Sequence, residues 1–555
     1  MSERSGKTRN QLRFIGPVTA ALSIIAIAPY TLMDSVSPIK LFLVTTLALG
    51  FLVILLINFK TIKDFKNNLT LWIALLFAFL SVIVVLNTQN ALSQQLYGVV
   101  GRQTGLILHL ALCGLLIAGN LFASNEVLEK TIKLFLITGV LAGLYGIFQI
   151  LDLDPLTWSS NENWVAATLA NPNFYSAFMG MFVCVMLPYL FANSKVLVKL
   201  SFLLGILLAI YIILKTSSQQ GLILVLLGVA ITLFFVIKSK NLGKKWLIPY
   251  SFLALSGVVV LILDILQKVP WQPFLYKTSV SARGDYWRAG IAVIEKYPLT
   301  GAGFDGLREQ YGLVREPVTL TRGDQLDLDA AHNIFIDKGI AGGIPLLLIY
   351  ILIIVTVLIA IRRLVVDFKA YNPAMVAVIS CWIAWLAQSV ISIDNVGLAS
   401  WGWYLSGLIT GLAVISKSPD VKFSKIGSRF ELKHTTRLYL VGMVIGALIA
   451  MPLVTREYRF VKSIERGDSQ GLQNAALQFP QDVFRIGRAA EILKEYKIEK
   501  ESIYLARQGV KNFPESYSAW AVLYTSPWAT EQERAQAKGK LLELDQLRAK
   551  YQGLG

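Results

Sequence analysis

Residues 281–307 read SARGDYWRAGIAVIEKYPLTGAGFDGL, and residues 329–343, DAAHNIFIDKGIAGG, close the same block before the chain turns apolar again. Hydrophobic segments flank the block on both sides. It nevertheless holds Arg283, Arg288, Arg308, Arg315, Arg322 and His332, one of only three histidines. A polar block with clustered cations, set among apolar segments, is where chemistry is expected, and its surroundings decide the fold.

The chain has 555 residues, 55% of them hydrophobic and 16% charged, and a mean hydropathy of +0.58. Several apolar runs reach the roughly 20 residues that a helix needs to cross a hydrocarbon layer of about 30 Å. The expected fold is all-α, a polytopic membrane bundle of about 12–13 helices with a large external loop. Spans are expected to start near Phe14, Ile39, Leu69, Leu106, Ile132, Phe174, Val196, Leu222, Trp246, Ile334, Ala374, Ser400 and Leu438. The first run, residues 14–33, is followed by charge and a second span without a small-residue cleavage site. It reads as the first helix and not as a cleaved signal. Cys113, Cys184 and Cys381 lie inside apolar runs with no CxxC spacing, which marks them as buried small residues.

A net charge of +17 in a soluble chain would point to nucleic acid. Here the positions of the cations give another reading. Arg4, Lys7, Arg9 and Arg13 precede the first span; Lys60, Lys63 and Lys66, then Lys238, Lys240, Lys244 and Lys245, then Arg362, Arg363 and Lys369 fill alternate loops. Lys417, Lys422, Lys425, Arg429, Lys433 and Arg437 precede the last span, and the opposite short loops hold little beyond Lys40, Arg102 and Lys215. The excess of Lys and Arg on one set of loops places the N-terminus in the cytoplasm. Residues 264–333 and the tail, residues 456–555, are then extracytoplasmic. The expected division is a transmembrane domain over residues 1–455, catalytic loop included, and a helical domain over residues 456–555.

In that tail, AALQFPQDVFRIGRAAEIL and GVKNFPESYSAWAVLY align with Phe479-Pro480 over Phe513-Pro514, 34 residues apart, the tetratricopeptide period. A tetratricopeptide-like domain is expected, either a cap on the external loop or a binding module. Other outside loops carry polar residues. SQQLYGVVGRQTG sets Arg102 between glycines, as an interfacial anchor or a ligand; TLANPNFYSAF opens a helix with Asn171, Pro172 and Asn173; KTSSQQG brings Lys215, Ser217, Gln219 and Gln220 to the same side.

Within the block, Tyr286, Trp287, Ile291, Ile294 and Tyr297 recur at three- and four-residue spacings and predict an amphipathic helix near the membrane surface, with Arg283 in its first turn. PLTGAGFDGL then supplies a glycine-rich turn without a nucleotide-binding signature. His332 and Asn333 come just before the tenth span, where the histidine is an interfacial polar residue or helix cap, or a functional group. Arginine pairs with phosphate oxygens and stays charged at any physiological pH, and a neutral histidine can take a proton from an attacking hydroxyl. Together they fit group transfer from a diphosphate-linked donor in the bilayer. No His, Cys, Asp or Glu set with metal-ligand spacing accompanies them, and no cofactor is expected.

The pattern RGDYWRAGIAVIEKYPLTGAG followed by AHN also resembles the signature of the bacterial O-antigen ligase and polymerase superfamily, which includes O-linked protein oligosaccharyltransferases. The resemblance covers roughly residues 97–403 and takes in the GRQTG and NPN loops. It implies a metal-independent, inverting glycosyltransferase of the bacterial cytoplasmic membrane. Such an enzyme moves a glycan from a polyprenyl-diphosphate carrier to a hydroxyl of a lipid, glycan or protein acceptor on the extracytoplasmic face. Carried over, it makes His332 the candidate base and Arg283 the candidate diphosphate ligand, with Arg102, Arg288 and Lys215 as further phosphate candidates. Asp394, Gln219 and Asn333 are candidates for acceptor contacts or orientation. The SSQQG loop departs from the family by holding glutamine where a cation is expected, and the distance from His332 to the next glycine turn is about one helical turn shorter. Three acceptor classes share this donor chemistry: ligation to a lipid core, polymerisation, and protein glycosylation. A lipid-linked glycan transporter, which would show internal repeats and mid-membrane charges, and a non-catalytic assembly partner using the tail are the competing classes.

Overall fold

A computed structural model describes residues 2–28, 34–58, 68–88, 90–156, 165–265, 268–269, 278–321, 327–368, 370–416 and 435–554. Lys60, Lys63, Lys66, Arg322, Lys369, Lys417, Lys422, Lys425, Arg429 and Lys433 lie outside the described residues, as do the side chains of Arg4, Lys7, Arg9 and Lys244. Among the described residues the chain is all-helical, without strands.

The bundle is built from α1 (Ser2–Ile25), α2 (Ser37–Asn58), α3 (Leu69–Asn87), the short α4 (Leu92–Tyr97), α5 (Leu106–Leu121), α6 (Asn125–Ile150), α7 (Pro172–Leu190), α8 (Val196–Lys215), α9 (Gln220–Ser239) and α10 (Lys244–Ile265). After the polar block come α14 (Ile334–Val366), α15 (Pro373–Ser389), α16 (Val396–Ser416) and α17 (Thr435–Glu465). Among the described residues, ten helices are long and apolar enough to cross a membrane. Three shorter apolar helices, Gln11–Ile25, Leu106–Leu121 and Pro373–Ser389, stand where the remaining expected spans were drawn. The protein is a multi-pass membrane protein.

Burial sorts these helices into a centre and a rim. α5, α7, α15 and α16 enclose Trp382, Trp385, Trp401, Trp403 and Tyr404, whereas α8 and α10 present leucine, valine and phenylalanine outward, as helices facing lipid do. Close approach in a membrane depends on small residues, because lipid tails are as apolar as leucine. At the crossing of α5 and α16, a Cβ on Gly407 would run into the Leu116 carbonyl, so only glycine lets the two backbones meet. Polar side chains fasten α16 to its neighbours: Asn120 of α5 donates to Thr410 Oγ1 at 2.9 Å, and the Trp382 indole N–H of α15 donates to Ser406 Oγ at 2.8 Å.

The two ends of the bundle differ. At one end Arg13 pairs with Glu126 at 2.8 Å, and Asn68 donates to Asn120. At the other, Ser37 donates to the Gly101 carbonyl, the α5 N-terminus follows the GRQTG loop, and α14 begins behind His332. The polar block sits on this second end. It comprises α11 (Thr278–Lys296), α12 (Leu307–Val314) and α13 (Val318–Thr321). Ala282, Tyr286, Ala289 and Val293 form the buried stripe of α11 against Leu307, Tyr311, Leu328, Ala331 and Ile340.

α14 is interrupted. Gly342 and Gly343 leave helical geometry, and Gly343 has φ +66, which a side chain would strain. The turn at residues 298–303 docks in the gap: Ala302 N–H donates to the Ile340 carbonyl at 2.7 Å, Gly303 N–H to Ala341 at 3.0 Å, and Ile344 N–H to Pro298 at 2.8 Å. Carbonyls freed by the break are thereby satisfied. The result is a short half-helix, residues 334–341, directly behind His332.

α17 continues from the bundle into the tail, which holds α18 (Ser469–Leu477), α19 (Val483–Glu495), α20 (Glu499–Asn512), α21 (Tyr517–Tyr524), α22 (Glu531–Leu544) and α23 (Gln546–Tyr551). The 34-residue spacing seen in the sequence reappears in the caps, since Asp482 starts α19 and Ser516 starts α21. The tail is fastened at both ends. At its root, Arg456, Glu457, Asp482 and Arg485 form a buried charge cluster, with Arg456 2.8 Å from Asp482 and Arg485 ion-paired to Glu457. At its far end, Arg315 of the loop meets Asp545 at 2.9 Å, both almost wholly buried, and Arg548 meets Asp327 at 2.5 Å.

Candidate active site

Residues far apart in sequence converge on the second end of the bundle. Arg283 lies one turn before Tyr286 on α11, half-buried, and burial lowers its guanidinium from the ordinary value. Among the described residues no carboxylate forms an ion pair with it. The Tyr286 ring lies against the His332 imidazole, centroids 5.6 Å apart. His332 has φ +54, a left-handed conformation unusual for a residue with a side chain, and such strain is found where surroundings enforce it. Burial, then the charges of Arg102 and Arg283, push the imidazole down to about 4, against a smaller opposing effect of Asp329. It is neutral at neutral pH, with a lone pair free to accept a proton.

Arg102 approaches from the loop between α4 and α5. Its Nε donates to Asp329 Oδ2 at 2.9 Å and a terminal nitrogen to Oδ1 at 3.3 Å, a two-point pairing. Burial alone would raise the Asp329 carboxyl; Arg102, with smaller help from Arg308 and His332, more than offsets this, and the group sits below its ordinary value. The loop itself is held by Asp305, which accepts from Thr104 Oγ1 at 2.6 Å and from the Val99 N–H at 2.8 Å. Gln95 exchanges two hydrogen bonds with the Phe304 backbone. The glycine-rich turn is thus the clamp that brings the GRQTG loop to His332, a job the sequence did not reveal.

The remaining candidates are placed as follows. Arg288 is exposed and engaged by Glu316 at 2.7 Å and by Asp285. Asn333 caps α14, accepting from Phe335 and Ile336 N–H groups. Lys215 is exposed at the end of α8 beside the Tyr211 ring, and Gln219 starts α9; among the described residues no hydrogen bond or ion pair links either to His332 or Arg283. Gln220, next to them, is buried, and neither of its amide atoms has a hydrogen-bond partner among the described residues. Asp394 is buried and paired with Lys338 at 2.5 Å, and no bond joins it to an arginine among the described residues. Lys338 also donates to His109 Nε2 at 2.7 Å, while His109 Nδ1 lies 2.8 Å from the Gly105 carbonyl. That assigns the proton to Nδ1 and leaves Nε2 as acceptor. The Lys338–His109–Asp394 group was missed from sequence, although a histidine inside an apolar run, His109, is a signal of it. Arg102, Asp305 and Asp329 share with this group the lining of a cavity of about 40 Å3, enough for a water or two. Among the described residues, no three His, Cys, Asp or Glu side chains cluster to hold a metal.

Arginines around a neutral histidine, at one end of a membrane bundle, are what the resemblance to the glycan-transferring superfamily implies. Residues 202–351 match the O-antigen ligase family model. The match supports the O-antigen ligase superfamily, and at family level a glycosyltransferase. It runs from α8 into α14, so the ligase-type region contains Arg283 and His332, while Arg102 and the tail lie outside it. No curated protein matches the chain.

Proposed function

We propose that the protein transfers a glycan from a polyprenyl-diphosphate carrier to an acceptor hydroxyl on the extracytoplasmic face of the bacterial cytoplasmic membrane. One observation carries this reading: a half-buried arginine without a carboxylate partner among the described residues, Arg283, stands beside a histidine kept neutral by its surroundings. Arg283 and Arg102 receive the diphosphate, with Arg102 exchanging Asp329 for a phosphate oxygen; Arg288 would likewise have to give up Glu316. His332 takes the proton of the acceptor hydroxyl as its oxygen bonds to the anomeric carbon. The bond from that carbon to the diphosphate oxygen breaks, and the arginines stabilise the charge on the departing diphosphate. Attack opposite the leaving group inverts the anomeric centre. The anion raises the basicity of His332 by offsetting the two arginines that lower it, so the base is strengthened when the donor is seated. The tail is read as a tetratricopeptide-like module for the acceptor side, where lipid, glycan and protein acceptors remain the alternatives.

The test uses purified full-length protein with lipid-linked glycan. His332→Ala and Arg283→Ala abolish transfer while insertion and yield stay at the wild-type level. Transfer by His332→Ala at the wild-type rate removes the base assignment. Mass spectrometry of the product that disappears from a His332→Ala strain names the acceptor.

A further inference from the structure

His332 is held in its left-handed conformation from both sides by side chains of the half-helix that follows it. On one side Asn333 is extended and caps residues 335 and 336. On the other, the buried Ala331 donates its N–H to Asp337 Oδ1 at 2.7 Å, a side chain six residues further on that reaches back across the histidine. The Asp337 N–H in turn donates to the Asn333 carbonyl at 2.9 Å. Asp337 therefore closes a ring of bonds whose contents are Ala331, His332 and Asn333.

The half-helix beneath that ring has little freedom. Lys338, the next residue, is anchored to His109 of α5 and to Asp394 in the turn before α16. Its C-terminal carbonyls at Ile340 and Ala341 are occupied by the turn at residues 302–303, which continues into the Asp305 clamp on the Arg102 loop. A left-handed residue costs about 1–2 kcal/mol, and persists where its neighbours over-determine it. Without the Asp337 acceptor the Ala331 amide would be left buried and unpaired, and the turn would relax toward a right-handed conformation. That relaxation swings the imidazole off the Tyr286 ring and away from Arg283.

We propose that Asp337 is the positioning residue of the base: its carboxyl oxygen Oδ1, acting as an acceptor for the Ala331 N–H, fixes the direction in which His332 presents its imidazole. The proposal rests on His332 being the base. A displacement of about 1 Å at a reacting group is worth about 10²-fold in rate.

Three variants of the full-length protein in lipid nanodiscs, assayed with lipid-linked glycan, decide it. Asp337→Ala lowers kcat by about 10²-fold while KM for the donor stays within about twofold, because the arginines are untouched. Asp337→Asn keeps an acceptor oxygen at the same place and restores kcat to within about threefold of wild type. His332→Ala is the reference. If Asp337→Asn is as slow as Asp337→Ala, the charge and not the acceptor matters, and the proposal is overturned. It is overturned equally if Asp337→Ala raises KM for the donor in step with the fall in kcat, the mark of a merely structural acid. Transfer by His332→Ala at the wild-type rate refutes the base itself, a result independent of how the two Asp337 variants compare.

Discussion

The depressed basicity of His332 makes a pH prediction with a definite sign. An ordinary imidazole titrates at 6.5, and here burial with Arg102 and Arg283 brings it to about 4. At pH 5 the neutral fraction is then about 90%, against about 3% for an unperturbed histidine. Consequently kcat/KM, which reports the free enzyme, stays within about 10% of its plateau at pH 5, where an ordinary histidine would lose about 30-fold. The limb of kcat, which reports the enzyme with donor bound, lies at higher pH, because the diphosphate offsets the arginines. Arg102→Gln moves the kcat/KM limb upward for two reasons of the same sign: it removes a cation and frees the Asp329 carboxylate. The assay is initial-rate transfer from lipid-linked donor between about pH 4 and 8, with stability followed in the same buffers. Stability should itself fall as pH drops from 6.5 toward 4, since in that window the unfolded chain binds the proton that the folded one refuses. A free-enzyme limb at 6.5, or a downward shift in Arg102→Gln, refutes the reasoning.

Arg315→Ala leaves Asp545 buried without its partner, at a local cost of about 3–5 kcal/mol; hydrogen exchange should rise in residues 307–321 and 531–551 and stay unchanged in the bundle. Lys338→Met strands the Asp394 carboxylate at a similar cost of about 3–5 kcal/mol, and a lowered melting temperature in detergent should recover in the Lys338→Met/Asp394→Leu double variant. Gly343→Ala sets a Cβ 2.5 Å from the Pro298 carbonyl at a positive φ. It should lose about 1–3 kcal/mol and transfer activity together, because the displaced turn continues into the Asp305 clamp.

The spans were readable because a membrane imposes a length and a composition on each helix without reference to its neighbours, and the thirteen expected starts meet helices of the structure. The α11 helix was readable for the same local reason, but its buried face was not: of the residues that marked the face only Tyr286 lies in the stripe, Ile291 is exposed, and the contact runs through Ala282, Ala289 and Val293. What depends on distant partners was not. Nothing near Arg315 announces Asp545, and nothing near Arg102 announces Asp329, 227 residues away. Arg288 and Arg315 counted as cations in the sequence and turn out to be neutralised by carboxylates. Asp394 was a candidate for orienting the acceptor and is the counter-ion of a buried lysine. The glycine turn after His332 was legible in Gly342 and Gly343, but what fills the break in α14 was not, because the inserted turn comes from residues 298–303.

The far fastening of the tail has a mechanical meaning. Arg548 holds Asp327, and Asp329, two positions on in the same short segment, holds Arg102. Tail, segment and guanidinium are thus coupled parts, like a lever, a pin and a jaw. A load applied to the tail is delivered within three residues to Arg102, the proposed anion ligand, and the root cluster around Arg456 supplies the fixed point against which that load can act.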